Sequence, residues 1–239
     1  MNSTRKNLLM VIKSRGHWSI NFRPLADQRL EFNQCKELIE KCSVELRGWD
    51  YPHFPRRRGD DTDLVPGNNY FEGWINWGAH KEVWRMYQSG QFIHFRAIEE
   101  DWFSEDSWYG EELRKKYKPG EILSIISTTY FITEIFAFAS RLAQGNLYKE
   151  GLKIIIQLNN ILDRRLEILD AMRVPLFGEY KTGADKIEFA KVYNWEELTE
   201  KVKENALEAI IHIFQRFGWE NPPIQVIQND QEKLLMRRL

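Results

Sequence analysis

Cysteine is nearly absent: Cys35 and Cys42 are the two in 239 residues. At a seven-residue spacing on one helix they stand roughly 10 Å apart along the axis, beyond disulfide reach. That argues against a disulfide-stapled scaffold and predicts a reducing, cytoplasmic setting. An excess of one charge is lacking too. Thirty-four Lys and Arg face 35 Asp and Glu, a net of −1, so the whole chain offers no general attraction to phosphate backbones or anionic membranes. Long apolar runs are also missing. The run Leu8 to Ile12 is too short for the hydrophobic part of a leader. Ile122 to Leu142 is interrupted by Glu134, Arg141 and several Ser and Thr, and a charge at the centre of a span costs about 2.5–3.5 kcal/mol. A buried helix is expected there, and no membrane partner. No phosphate loop, Gly-x-Gly-x-x-Gly, His-Glu-x-x-His, Gly-x-Ser-x-Gly or Cys-x-x-Cys occurs, so no ready enzyme template or cofactor follows.

What the chain does have is a concentration of rings. Arg47 to Gly110 holds fifteen of the Trp, Tyr and Phe and three of the five His in 64 residues. Around it, patterning predicts an α+β fold: a largely antiparallel N-terminal sheet packed with a helix-rich C-terminal half containing a few further strands. One domain is expected, with a sheet-rich lobe to residue 108 and a helix-rich lobe after it. Trp18, Ile20 and Phe22 alternate with polar residues as in a half-buried strand ended by Pro24. Cys35, Leu38, Ile39 and Cys42 fall on one face of a helix capped by Asn33. A strand over Ser43 to Arg47 leads into a long loop reaching Asn68, and Tyr70 to Asn76 is a third strand. Leu152 to Leu158 reads as a buried strand, with Arg165 to Leu169 returning beside it. Lys186 to Tyr193 reads as another, and Asn194 caps a helix from Trp195 to Phe217. The tail after Pro222-Pro223 is expected to fray or to dock on a partner.

Val83 to Gln88 and Gln91 to Arg96 flank Ser89-Gly90, a two-residue connection suited to a tight hairpin. That register pairs Tyr87 with Phe92, Arg85 with His94 and Trp84 with Phe95. It puts Trp84, Met86, Ile93 and Phe95 on a core face, and Arg85, Tyr87, Phe92, His94 and Arg96 on the opposite, outward face. With Arg47, Trp49 and His53 from the loop above, these residues form an aromatic and basic surface, suited to a phosphate-bearing ligand, a nucleotide or nucleic acid, or to a partner protein or second copy. The alternative for the arginines is pairing with Glu99, Glu100 and Asp101. Arg56-Arg57-Arg58 adds local positive charge. His53, His80 and His94 near Asp60, Asp61, Asp63 and Glu82 match no metal-ligand spacing, and no metal site is assigned. A second reading is enzymatic. Asp170, at the end of an expected strand Leu166 to Asp170, is followed by Glu179-Tyr180-Lys181. This resembles the Asp…Glu-x-Lys arrangement of metal-dependent nucleases and would imply nuclease or phosphodiesterase activity, with the two carboxylates on Mg²⁺ and the lysine orienting water.

Overall fold

The computed structural model describes residues 3–105 and 111–238, with side chains from residue 7 onward; Trp108 and Tyr109 of the aromatic segment lie outside them. The first third holds α1 (Ser3–Lys13), β1 (His17–Pro24), α2 (Phe32–Cys42), and the short β2 (Val44–Glu45) and β3 (Asp50–Tyr51). Four strands follow, β4 (Thr62–Pro66), β5 (Tyr70–Trp77), β6 (His80–Tyr87) and β7 (Phe92–Ala97), then a 3-10 helix over Glu99–Glu105. The remainder runs α3 (Glu111–Lys116), β8 (Ile122–Ser124), α4 (Ile125–Gln144), β9 (Leu152–Asn159), β10 (Arg165–Glu167), β11 (Lys186–Tyr193), α5 (Trp195–Glu200), α6 (Val202–Arg216) and α7 (Ile224–Leu235).

The fold is α+β. Among the described residues, seven strands form one antiparallel sheet in the order β4-β5-β6-β7-β1-β9-β11. β1 lies inside it because the alternating Trp18, Ile20 and Phe22 give it a fully apolar face, which α4 covers. Trp18 meets Phe131 with ring centroids 5.2 Å apart, and Phe22 and Phe92 meet Phe138 at 6.1 and 5.1 Å. The other face is partly covered by α1, whose Leu8 and Ile12 pack with Trp74, Val83, Ala97 and Trp102. Ser124 caps α4 by accepting from Ser127 N–H at 3.2 Å, and the helix is apolar because most of its surface is buried. No helix among the described residues is long and apolar enough to cross a membrane. Cys35 and Cys42 are buried and unpaired, as the helical spacing predicts.

The hairpin differs from expectation in one decisive respect. β6 and β7 pair Glu82 with Arg96, Val83 with Phe95, Trp84 with His94, Arg85 with Ile93 and Met86 with Phe92, one residue out of step. Tyr87 N–H donates to Gln91 O and Gly90 N–H to Tyr87 O. The connection is therefore three residues, Gln88 to Gly90, closed by Gly90 at φ +82°: a type I turn followed by a left-handed residue. A slip of one residue transfers a strand's side chains to the other face. Glu82, Trp84, Met86, Phe92, His94 and Arg96 consequently share the interior face under α4, whereas Arg85, Tyr87, Ile93 and Phe95 point the other way. The single outward face expected to carry Arg85, Tyr87, Phe92, His94 and Arg96 does not form.

Smaller corrections have local causes. Glu31 and Gln34 make a capping box, so α2 starts before Asn33. The stretch from Trp49 to Asn68 contains β3 and β4 and is not loop throughout. β10 stops at Glu167, short of Asp170, and pairs in parallel with β8 instead of returning beside β9. Asn194 caps its helix in a box with Glu197, but Lys201, at φ −116° and ψ 40°, separates α5 from α6. The C-terminal tail forms α7, which buries Ile227 and Leu234 in the main core.

Candidate functional site

The interior face of the hairpin carries charge where apolar contacts would suffice. Buried ionisable groups need partners, and these form a chain. Tyr51 Oη lies 3.3 Å from His94 Nδ1, and His94 Nε2 lies 3.2 Å from Glu82 Oε2. His80 Nε2 stands 3.5 Å from the same oxygen and its Nδ1 3.5 Å from Glu99 Oε1. Arg96 closes the chain on Glu99, with its guanidinium 4.6 Å over the Phe131 ring.

Environment sets the protonation of each member. Burial lowers His94 below the usual histidine value, more strongly than Glu82 raises it. The neutral ring then donates from Nε2 to Glu82 and accepts at Nδ1 from the Tyr51 hydroxyl, which burial keeps protonated. Burial also opposes charge on His80, but contacts with Glu82 and Glu99 raise it above its ordinary value. For Glu82 and Glu99, burial pushes upward and is outweighed, at Glu82 by hydrogen bonds from His80 and His94 with the His80 charge, and at Glu99 chiefly by the Arg96 charge, so both lie well below the carboxylate range.

The loop above is fastened to this chain. His53 N–H donates to Glu82 Oε1 at 2.9 Å, and Trp84 Nε1 donates to His53 O at 2.8 Å. Asp50 receives His53 Nδ1 at 2.7 Å and Arg56 Nη1 at 2.8 Å, and Trp49 packs against His80 with ring centroids 5.1 Å apart. Arg47, beyond β2, donates from Nε and Nη2 to the two oxygens of Glu134 at 2.9 and 2.6 Å. This is the parallel fork that guanidinium and carboxylate favour.

Arg47 and Arg96 line a narrow cleft between the sheet and the first turn of α4, together with Glu99, Glu100, Ser127 and Thr128, and walled by Trp18 and Phe131. Its interior offers about 20 Å³ to a water-sized occupant, on the order of one water or one ligand oxygen. Burial, reinforced by the charge of Glu99, pushes the Glu100 carboxyl up to about 7. Thr128 is 2 % exposed, and its Oγ1 has no hydrogen-bond partner among the described residues. Its neighbours Thr129 and Thr133 both donate to backbone carbonyls at 2.8 Å. Two guanidinium groups, a helix N-terminus and an unpaired hydroxyl are the donors an oxyanion requires.

Of the residues singled out in the sequence, Arg47, Trp49, His53, Phe92, His94 and Arg96 come together on the interior side. Arg85 and Tyr87 lie on the opposite face. There Arg85 Nε donates to Glu72 Oε2 at 2.6 Å, with its guanidinium 5.0 Å over Tyr70. The expected pairing of arginine with carboxylate holds for Arg96 and Glu99. Arg56 and Arg58 of the basic run are paired with Asp50 and Asp63. Among the described residues, no three His, Cys, Asp or Glu side chains are placed to hold a metal ion. Asp170 receives Arg173 at 3.3 Å and Lys181 stands 3.2 Å from Asp163, so those two members of the nuclease-like pattern have separate ionic partners. Sequence reasoning missed Glu100, Glu134, Ser127 and Thr128 as site residues. The available signal was Glu134, a carboxylate inside an apolar helix, which demands a buried partner. No family model, curated protein or solved structure matches the chain.

Proposed function

We propose that the protein is a non-catalytic recognition protein for a phosphate-bearing ligand, whose terminal oxyanion enters the Arg47/Arg96 cleft while the rest of the ligand lies outside it. The unpaired Thr128 hydroxyl carries this reading. An unsatisfied buried hydroxyl costs about 1–3 kcal/mol, and a ligand oxygen in the cleft would remove that cost. Each guanidinium has five N–H donors, and the bonds to Glu134 and Glu99 leave others for the ligand. The cleft has room for an oxyanion oxygen and not for a base or sugar, so the larger part of any ligand would meet the surface around Trp49 and the loop.

Inorganic phosphate titrated into isotopically labelled protein tests the proposal. Saturable NMR shifts are expected at Ser127, Thr128 and Arg96. Thr128→Val should weaken binding about tenfold or more, the loss of one hydrogen bond to a charged group, and leave the melting temperature unchanged or raised, because the orphaned hydroxyl is gone. Unsaturable shifts, or equal affinity in Thr128→Val, would refute the assignment.

A further inference from the structure

Every cation around the cleft already has its own carboxylate before any ligand enters. Arg47 is forked on Glu134, Arg96 is bound to Glu99, and His80 lies between Glu82 and Glu99. Behind the cleft, Arg164 is fully buried and pairs with Asp101 at 2.7 Å. Glu100 is the carboxyl left over. It lines the same cleft and is 6 % exposed. The groups facing it can be named element by element. Its own 3-10 helix contributes Glu99 and Asp101, β7 contributes Arg96, and the segment after β2 contributes Arg47. β8 supplies the Ser124 N–H, which donates to Glu100 Oε1 at 2.9 Å, and α4 supplies Ser127 and Thr128. Arg164 stands behind, and His80 reaches the cluster from β6 through Glu99. From β1 comes Trp18, while His17 points to the other face and bonds Arg15 O. No positive charge in this set remains to neutralise both an ionised Glu100 and an incoming anion, and two like charges in a water-poor cleft repel strongly.

We infer that the cleft takes its oxyanion together with a proton, carried on Glu100, whose carboxylic O–H then donates to the ligand. The inference rests on the oxyanion reading of the cleft and adds its chemical selectivity. The site accepts groups that receive hydrogen bonds from an acid, two guanidinium groups and a hydroxyl, and it binds them as a proton–anion pair. The upward displacement of the Glu100 carboxyl to about 7 makes that proton available near neutrality.

Sulfate is the suitable probe, since its charge is constant over the range in which Glu100 titrates. Wild-type affinity should be flat at low pH and fall toward tenfold per pH unit above about pH 7, the behaviour of binding linked to one proton. Calorimetry in two buffers of different ionisation enthalpy should register the matching proton uptake. Glu100→Gln keeps a donor at the same position, so it should bind sulfate with a pH-independent affinity. A flat wild-type profile, or a Glu100→Gln profile as steep as wild type, would overturn the proton coupling while leaving the oxyanion site standing. Absence of sulfate binding by wild type at every pH would remove the site itself.

Discussion

Glu82 and Glu100 are both sealed carboxyls, yet their neighbours drive them in opposite directions. Two histidines facing Glu82 hold it ionised. Its contribution to stability is present above the unfolded carboxylate value and is lost as the pH falls through the depressed folded value, so it bears on acid denaturation. Glu100 has backbone hydrogen bonds, at its own N–H and that of Ser124, and the charge of Arg164 against burial and the charge of Glu99, and burial prevails. Its folded value, about 7, lies above the unfolded value of 4.5, so the folded state binds the proton more tightly. The resulting stabilisation is complete below the unfolded value and disappears as the pH rises through about 7, a difference on the order of 3 kcal/mol. Urea denaturation at successive pH values should show wild-type stability falling between about pH 5 and 8, and Glu100→Gln should flatten that fall. An unchanged slope in the variant would assign the effect to another group. None of this was legible from the run Glu99-Glu100-Asp101, because three adjacent acids receive different fates according to which partner each meets. Glu99 meets Arg96 and His80, Glu100 meets Ser124 N–H, and Asp101 meets Arg164 together with Gly16 N–H at 2.8 Å.

At the scale of elements, periodicity located the strands and helices well where a single face is apolar. β1, α2, β9 and β11 fall close to their predicted ranges for that reason. The hairpin failed in its turn. Ser89-Gly90 looks sufficient as a two-residue connection, but a type I′ turn requires positive φ at both central residues and favours Asn or Asp before Gly. Serine there is a poor fit, and reading Gly90 as the last residue of Gln88-Ser89-Gly90 satisfies the preference. That one-residue difference buries His94 and Arg96. It also makes Gly90 a checkable position. Gly90→Ala would impose a left-handed conformation on an L-residue and place a Cβ 2.3 Å from Gln28 Cγ, a cost of about 1–3 kcal/mol. Chemical denaturation should find the loss. A neutral result would mean that Gly90 does not hold the left-handed conformation that closes the three-residue turn.

At the scale of the whole molecule, the cleft is a product of topology. β1 lies between β7 and β9, so the N-terminal strands and the later β9 and β11 make one sheet, and α4 crosses its interior face. Arg47 comes from the segment after β2, Arg96 from β7, Glu99 and Glu100 from the 3-10 helix, and Ser127 and Thr128 from the start of α4. Segments so far apart in sequence leave no local motif, which is why composition could indicate an aromatic and basic concentration without indicating where its charges would meet. The most direct test is anomalous diffraction from crystals soaked in selenate, a heavier analogue of sulfate, at a pH below the titration of Glu100. An anomalous peak is expected at the mouth of the cleft, placed so that a selenate oxygen enters it within hydrogen-bonding reach of Arg47, Arg96 and Thr128 Oγ1. An empty cleft in crystals that bind selenate elsewhere would contradict it.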